Sequence, residues 1–234
     1  MSNKRSILES NKDAAPQTLE GLPFYGIELD NEQKAFRDAI WSKDKLIIFC
    51  DSKSGAGKTT IATGVANMLV KHGRYENIVY VASPTQEEKQ GYLKGTLEEK
   101  SEPYFEPFYQ ALKKLGLNLN TILSSDIINQ KNGTSYISCA THTFLRGTNF
   151  ENSVVIIDEC QNFSVSELQK VLTRIHDNCK VVLIGHSGQI DLVDSNKSGF
   201  AKYKRHFAGY DKTGICRLTK NYRGWISSTS DEIK

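Results

Sequence analysis

The chain has 234 residues, enough for one large domain or two small ones and for a substantial buried core. Its 30 lysines and arginines against 27 acidic residues leave a net charge of +3, so the overall charge does not require a polyanionic partner. The five cysteines are scattered without metal-ligand spacing, which argues against a zinc site or disulfide scaffold and favours free thiols in a reducing compartment. No apolar stretch reaches membrane-spanning length and the N-terminus has no apolar signal core, so we expect a cytoplasmic protein without a membrane partner.

The N-terminal region combines a polar segment with the first predicted helix. Residues 1–20 are polar and aperiodic, so we expect a flexible tail over 1–20 and a single domain over 21–234. Asp30 and Gln33 have the spacing of a helix-capping box, and the apolar residues that follow would form the buried face of the helix. The Gln33 amide offers a donor and an acceptor together, which also matches the edge of an adenine ring. The spacing by itself favours the capping role.

Residues 46–60, LIIFCDSKSGAGKTT, form the most informative segment of the chain. An apolar run typical of a buried parallel strand ends abruptly in a small, polar loop whose glycines permit tight bends. Successive N–H groups of such a loop, together with the N-terminus of the next helix, bind phosphates. The pattern therefore predicts a nucleoside triphosphate site. Its predicted cofactor-binding residues are Gly55, Ala56, Gly57, Lys58, Thr59 and Thr60.

Two side chains of this loop have predicted roles in chemistry. Lys58 would contact the β- and γ-phosphates, and the Thr59 hydroxyl would ligate Mg²⁺. The full phosphate-loop pattern is G-x-x-x-x-G-K-[ST], and Ser52 occupies the place of its first glycine. The alternative interpretation is a glycine-rich turn between a strand and a helix. The apolar run before the loop and the helical pattern after it favour phosphate binding.

Strands and helices alternate through the rest of the chain. Further strands are predicted at 77–83, 134–140 and 180–186, before Asp158, and from residue 215. This alternation predicts an α/β fold with a mostly parallel sheet and helices on both faces. Ligands of such sheets bind at the carboxyl ends of the strands, so the sequences SGAGKTT, DECQ and GHSGQ would line one cleft.

An acidic pair follows the apolar run at 154–157. Asp158 would emerge at the end of its strand and hold Mg²⁺ beside Thr59. Glu159 is placed to orient an attacking water, which a hydrolase needs and a nucleotide kinase does not. The alternative is a charged strand end exposed to solvent, which the presence of a phosphate loop makes the weaker interpretation.

Other polar residues near the predicted cleft have two interpretations each. Gln161 and Gln189 are either sensors of the γ-phosphate or ordinary loop residues. Arg223 is either an arginine finger or a surface arginine in a basic turn. The segment 202–207 alternates basic and aromatic residues, which suits a nucleic-acid contact and equally suits a solvated amphipathic helix, so we do not assign nucleic-acid binding to it.

Together these residues resemble the PhoH-like family, which are P-loop ATPases related to the core domain of superfamily-one helicases. The resemblance covers nearly everything from Glu28 onward. It is carried by LDNEQKAF, the phosphate loop, SPTQEEKQGYLKGTLEEKSEPYFEPFYQAL, TFLRGTNFENSVVIIDECQN, VVLIGHSGQID and NYR. It implies a single RecA-like P-loop NTPase domain that hydrolyses ATP with Mg²⁺ and acts on single-stranded RNA, with helicase-like activity. Because only one such domain is present, a motor would need a neighbouring subunit, which implies a homo-oligomer such as a hexameric ring.

The resemblance also implies roles for individual residues. Gln33 corresponds to an adenine contact and Gln161 to a residue that couples the nucleotide to a bound strand. Gln189 corresponds to the sensor glutamine and Arg223 to a late arginine, which would act either on the nucleotide of its own chain or on that of a neighbour. The predicted catalytic set is therefore Lys58, Glu159, Gln189 and Arg223.

Three positions depart from the pattern of the family. Ser52 replaces a glycine, His186 stands where an acid is usual, and Ser83 stands where a basic residue is usual. These departures motivate an alternative function, a nucleotide-dependent switch or scaffold that hydrolyses ATP slowly and binds a protein partner. A small-molecule kinase is disfavoured by Glu159.

Overall fold

The computed structural model describes residues 15–83, 101–125, 127–145, 148–192 and 194–230. Within them, six strands form one sheet in which every neighbouring pair is parallel. The strands are β1 (Ile47–Ser52), β2 (Asn77–Ala82), β3 (Ile137–Thr141), β4 (Ser153–Ile157), β5 (Lys180–Gly185) and β6 (Thr213–Leu218). Their order across the sheet is β3-β2-β4-β5-β1-β6. The predicted parallel sheet is confirmed.

Helices connect these strands. In the described residues they are α1 (Asn31–Trp41), α2 (Lys58–Lys71), α3 (Glu106–Lys114), α4 (Leu119–Ile122), α5 (Ile127–Asn132), α6 (Val165–Leu172), α7 (Phe200–Phe207) and α8 (Trp225–Ser230). Helix α1 begins with the predicted capping box between Asp30 and Gln33. Helix α6 begins with a capping box between Ser164 and Glu167, which satisfies backbone N–H groups that the helix itself leaves unpaired.

The two faces of the sheet carry separate hydrophobic cores because successive residues of a strand point to opposite sides. On β4, Val154 and Ile156 pack in one core, and Val155 and Ile157 pack in the other. Helices α1, α2 and α3 cover the first face, and α6 and α7 cover the second. The predicted placement of helices on both faces is therefore confirmed. Helix α3 also fixes Tyr80 of β2, whose ring stacks on Phe108 with a centroid separation of 4.4 Å.

The predicted start of β3 is too early. Strand β3 begins at Ile137 rather than at residue 134. The Thr134 N–H donates to the Asn129 carbonyl and closes the turn after α5. The Tyr136 N–H donates to the Ile122 carbonyl, and the Tyr136 carbonyl bonds to the sheet by accepting from the N–H of Ile78 in β2 at 2.8 Å. The prediction therefore starts the strand inside the turn.

The packed part of the chain begins before residue 21. Leu19 is 1% exposed in the first core, and the Trp41 indole donates to the Pro16 carbonyl at 3.0 Å. Residues 15–20 of the predicted tail therefore belong to the folded domain. The segment GYLKGTLEEK and Arg146 lie outside the described residues. None of the helices in the described ranges has the length and apolar character needed to span a bilayer.

Candidate functional site

The phosphate loop connects β1 to α2 with two residues in the left-handed conformation. Gly55 has φ +70° and Gly57, which caps α2, has φ +83°. Such angles are strained for residues with a Cβ, which explains the glycines at these positions. Ala56 between them is buried, and Thr60 lies in the first turn of α2. The loop thus presents the N-terminus of a 14-residue helix at the carboxyl edge of the sheet.

Asp158 is the buried carboxylate of the site, with 1% of its surface exposed. It lies directly after β4 and accepts three hydrogen bonds, from Thr59 Oγ1 at 2.8 Å, from Tyr80 Oη at 2.9 Å and from the Glu159 N–H at 2.8 Å. Burial and the charge of Glu159 raise the pKa of the Asp158 carboxyl, while Lys58 and Thr59 oppose that rise. The structure thus brings the two predicted metal ligands, Thr59 and Asp158, into contact.

Glu159 faces the phosphate-loop lysine. Its Oε1 lies 3.0 Å from Lys58 Nζ, and its Oε2 accepts from Gln161 Nε2 at 2.6 Å. Burial raises the pKa of Glu159, but the Lys58 ammonium and the Gln161 amide outweigh burial and leave that pKa below its ordinary value. Its backbone φ is +49°, a conformation that residues other than glycine adopt at an energetic cost and that is concentrated at functional sites.

Gln161 joins the acidic pair to the end of β5. Besides its bond to Glu159, its Oε1 accepts from the His186 N–H at 2.9 Å. A Cβ on Gly185 would lie 2.7 Å from this Oε1, so the glycine is needed for the close approach. Gln161 therefore connects the predicted water-orienting carboxylate with the turn that follows β5. Its predicted coupling role stays a prediction.

Arg223 lies on the phosphate loop of its own chain. Its Nη1 donates to Ser54 Oγ at 2.9 Å, and the Tyr222 N–H donates to the Gly55 carbonyl at 3.0 Å. A Cβ on Gly55 would lie 2.5 Å from Asn221 Oδ1. Residues 221–223 thus form a wall that packs against the phosphate loop. Of these three residues, sequence reasoning assigned a functional role only to Arg223.

Gln33 anchors α1 to the phosphate loop. Its Oε1 accepts from the Asp30 N–H at 3.1 Å, as the capping box requires, and its Nε2 donates to the Ala56 carbonyl at 3.0 Å. The predicted cap is confirmed, and a contact with adenine stays a prediction. The N-terminus of α1 is also bonded to the chain after β6, because Thr219 Oγ1 donates to Glu32 and Tyr222 Oη donates to Asp30. The hydrogen bond to Asp30 raises the pKa of Tyr222 to about 12.

The remaining predicted residues lie at the end of β5 and of β1. Gln189 is in an exposed turn, and its N–H donates to the His186 carbonyl at 3.1 Å. Within the described part of the chain, the Nδ1 of His186 and the Oγ of Ser52 are buried without a hydrogen-bond partner. The serine that replaces a glycine is therefore accommodated inside the protein rather than on the loop surface.

Sequence reasoning assigned no role to Tyr80, or to Ser54 and Asn221, although these two lie in the quoted segments SGAGKTT and NYR. Tyr80 lies in an apolar run that predicts a buried strand. Its hydroxyl can bond to Asp158 because β2 pairs with β4, and this pairing is known only from the structure. A buried tyrosine hydroxyl needs such a partner, so a tyrosine one strand away from an acidic pair is a usable signal.

The donor chemistry of the site suits Mg²⁺ and phosphate. Mg²⁺ prefers oxygen ligands, and the Thr59 hydroxyl and the Asp158 carboxylate supply them next to each other. Since Mg²⁺ is usually held by one or two protein groups together with substrate phosphates and water, this pair suffices as the contribution of the protein. Lys58 supplies the positive charge, and burial, which lowers its pKa, is outweighed by the two carboxylates that raise it.

Comparisons with solved structures agree on the fold. The T4 bacteriophage UvsW helicase is 13% identical with a TM-score of 0.51, covering 83% of this chain and 61% of that one. The large terminase of a thermophilic bacteriophage is 14% identical with a TM-score of 0.52, covering 82% of this chain and 46% of that one. The domain therefore has the RecA-like fold of P-loop NTPase cores.

Comparisons of sequence identify relatives of this chain. Protein PhoH of Escherichia coli K12 is 31% identical over 180 residues, which are 76% of this chain and 49% of that protein. A PhoH-like protein of Bacillus subtilis is 30% identical over 173 residues, 74% of this chain and 52% of that protein. The chain thus spans about half the length of these relatives. The family model described as PhoH-like protein matches residues 27–223, which include both the phosphate loop and Arg223. The chain belongs to the PhoH-like protein family.

Proposed function

We propose that this chain is a Mg²⁺-dependent ATPase. The observation that carries the proposal is the pairing of the phosphate loop with the acidic residues after β4, Lys58 with Glu159 and Thr59 with Asp158. These contacts join two distant parts of the sequence at one edge of the sheet. The membership of the chain in the PhoH-like protein family and its RecA-like fold support the same activity.

Each residue has a distinct part in the proposed hydrolysis. The N–H groups of residues 55–60 and the Lys58 ammonium bind the phosphates, and Thr59 and Asp158 hold the metal. Mg²⁺, when bound, neutralises phosphate charge. Glu159 is ionised at neutral pH and orients water, and Arg223 places a second positive charge on the same loop.

The proposal is tested with Lys58→Ala and Glu159→Gln in steady-state ATPase assays and in equilibrium binding of a non-hydrolysable ATP analogue with Mg²⁺. We expect both variants to lose turnover, while Glu159→Gln keeps its affinity for the analogue because the phosphate-binding groups are intact. An equal loss of affinity in both variants would contradict the role of Glu159. Absence of any Mg²⁺-dependent uptake of nucleotide by the unmodified protein would overturn the proposal.

We further propose that the ATPase works as a cytoplasmic homo-oligomer on single-stranded RNA. In helix α8, directly after Arg223, the side chain of Trp225 is 80% exposed and that of Ile226 is 77% exposed, which supports a subunit contact next to the nucleotide site.

Two exposed residues support a contact with RNA. Arg205 of α7 suits a phosphate backbone, and Tyr210, just after α7, suits a base. The free cysteines agree with a reducing compartment. Stimulation of ATPase turnover by single-stranded RNA is the expected result, with double-stranded DNA as the comparison.

The second candidate is a slow nucleotide switch with a protein partner, which the histidine at 186 favours. The backbone N–H of His186 donates to Gln161, and burial, which raises the pKa of Glu159, is opposed by Lys58, by Gln161 and lastly by His186. Tight ATP binding with slow turnover that RNA does not change would support this function over the first.

A further inference from the structure

We propose that Asp51 is a positioning residue for hydrolysis, which fixes the turn after β5 against the phosphate-loop strand with Lys204 of α7 as its partner. The inference rests on the ATPase activity proposed above. It concerns the rate of turnover rather than the binding of nucleotide.

Asp51 connects the ends of two neighbouring strands. It lies in β1 next to Gly185 of β5, at the position where that strand ends. Its Oδ1 accepts from the Ser187 N–H at 3.1 Å, and its Oδ2 accepts from Ser187 Oγ at 2.8 Å. The backbone hydrogen bonds between β1 and β5 end at this position. The Asp51 carboxylate continues the link between the two strands as far as Ser187, two residues beyond β5.

Lys204 contacts this carboxylate from the face of the sheet that α6 and α7 cover. Its Nζ lies 2.5 Å from Asp51 Oδ2, and the side chains of Lys204 and Asp51 are 25% and 18% exposed. The lysine also lies 5.6 Å from the ring centroid of Phe200, a fully buried residue of α7. Burial raises the pKa of Asp51, but Lys204 and Ser187 outweigh burial and leave it below its ordinary value. The ion pair is therefore formed at neutral pH with limited freedom.

The turn that Asp51 holds is the one connected to Glu159. Its first residue, His186, donates to Gln161, which donates to Glu159. Its second residue, Ser187, is held by Asp51. The turn is thus fixed from both neighbouring strands, and removal of Asp51 would take away its connection to β1. Misplacement by about 1 Å of groups that act on the reacting atoms costs on the order of 100-fold in rate.

Nucleotide binding depends on other groups. The phosphates would be held by the N–H groups of residues 55–60 and by the side chain of Lys58, the first residue of α2. A loss of the contact between Asp51 and Ser187 should therefore lower kcat and leave the affinity for nucleotide nearly unchanged.

The test compares Asp51→Asn, Ser187→Ala, Lys204→Met and Lys204→Arg. Asparagine keeps the size of Asp51 but removes its charge, and methionine keeps most of the lysine stem without the ammonium. We expect kcat to fall at least about tenfold in Asp51→Asn and Ser187→Ala and less in Lys204→Met, with recovery in Lys204→Arg. The dissociation constant of a non-hydrolysable ATP analogue with Mg²⁺ should stay within about twofold. The exposed Lys197, in the same connection between β5 and α7, provides the matched control Lys197→Met, which should keep wild-type kcat.

The double variant Asp51→Asn/Ser187→Ala separates positioning from general damage. Both changes weaken the same connection between Asp51 and Ser187, so the double variant should be slower than the slower single variant by much less than the product of the two separate effects. Equal kcat in wild type and both single variants would overturn the inference alone, as would parallel losses of kcat, affinity and melting temperature. A wild-type protein without turnover would overturn the proposed ATPase function, and this inference with it.

Discussion

Two adjacent carboxylates have opposite pKa shifts in the cleft because their surroundings differ. Asp158 is enclosed by the sheet, and burial raises its pKa, whereas Glu159 faces Lys58 and Gln161, which lower its pKa in spite of burial. Environments that separate the pKa values of neighbouring acids are typical of catalytic sites. Glu159, whose pKa is lowered, faces Lys58 rather than Thr59, and this is the position that suits a water-orienting group.

Arg223 provides the first prediction at the scale of the residue. Since its guanidinium bonds to Ser54 of the same chain, we expect it to act on the nucleotide of its own subunit. Arg223→Ala should lower kcat on the order of 1000-fold, and Ser54→Ala, which only loosens the guanidinium, should lower it less.

Mixed assemblies decide between action within and between subunits. Arg223→Ala protein mixed with Lys58→Ala protein should show only the summed activity of the two, because neither chain carries both residues. Recovery of activity in the mixture, measured by steady-state turnover, would place Arg223 in a neighbour's site.

Lys180 provides the second prediction. This lysine at the start of β5 is completely buried and donates to the carbonyls of Ser42 and Lys45, and burial lowers its pKa to about 7. An unfolded lysine has a pKa of about 10.4, so between these two values the unfolded chain binds more protons than the folded one. Stability therefore rises with pH in this window, by at most about 1.4 kcal/mol per pH unit.

The measurement is urea unfolding at pH 7, 8 and 9 of wild type and of Lys180→Met. The free energy of unfolding of wild type should increase relative to that of the variant as the pH rises. The exposed Lys43, in the same connection between α1 and β1, supplies the control Lys43→Met, whose curve should run parallel to wild type. A parallel curve for Lys180→Met would show that Lys180 has the same charge in both states.

At the scale of elements, the phosphate loop is held by two separate parts of the chain. Helix α1 contacts it through Gln33 and the Ala56 carbonyl, and the segment after β6 contacts it through Tyr222 and Arg223. Helix α1 and that segment are themselves joined through Thr219 and Glu32. The loop is thus enclosed by elements that are far apart in sequence.

Two glycines with similar backbone angles give a matched test of this enclosure. Gly55 and Gly73 have φ +70° and +66°, so alanine at either position costs about 1–2 kcal/mol of strain. A Cβ on Gly55 would lie 2.5 Å from Asn221 Oδ1 and 2.9 Å from Arg223 Cγ, whereas no described atom lies within 4 Å of one on Gly73. Gly55→Ala should therefore displace the wall and weaken nucleotide binding, and Gly73→Ala should lower only the melting temperature. Equal nucleotide affinity in both variants would contradict the close packing.

The sequence was sufficient for the elements that depend on local patterns. The capping box at Asp30, the strand before the phosphate loop and the helix after it all follow from spacing and apolar periodicity, and the structure confirms them. The start of β3 was wrong because Thr134 lies in the turn that closes α5, where its N–H donates to the Asn129 carbonyl, a contact that the apolar run does not reveal. The contact of Gln33 with the Ala56 carbonyl was also not predicted, since it depends on how α1 packs against the phosphate loop.

At the scale of the whole molecule, strand order decides what meets at the site. Sequence patterns predicted that strand ends share an edge, but not that β6 lies beside β1. That neighbour relation brings residues 221–223 onto the phosphate loop of the same chain. Long-range pairing of this kind depends on the packing of the complete sheet, which explains why the contact between Arg223 and Ser54 does not follow from the sequence.

The exposed residues of α8 give the prediction for the assembled protein. Large apolar side chains that are nearly fully exposed favour association, and Trp225 and Ile226 lie two and three residues after Arg223. Trp225→Ser/Ile226→Ser should shift the mass in solution, measured by sedimentation, toward the single chain. Leu22→Ser, a change of an apolar residue that is 43% exposed elsewhere, is the control and should keep the wild-type mass. An unchanged mass in the α8 variant would remove this helix from the subunit contact.

The position of β1 between β5 and β6 has a consequence for biosynthesis. Ile47 pairs with Val181 on one side and with Thr213 on the other, so both neighbours leave the ribosome long after β1 does. A nascent chain that ends before β5 carries an apolar strand with two open edges, which is a template for aggregation. The contacts of Tyr222 and Arg223 with the phosphate loop therefore form late, when β6 joins the sheet beside β1, and truncated translation products should depend on chaperones.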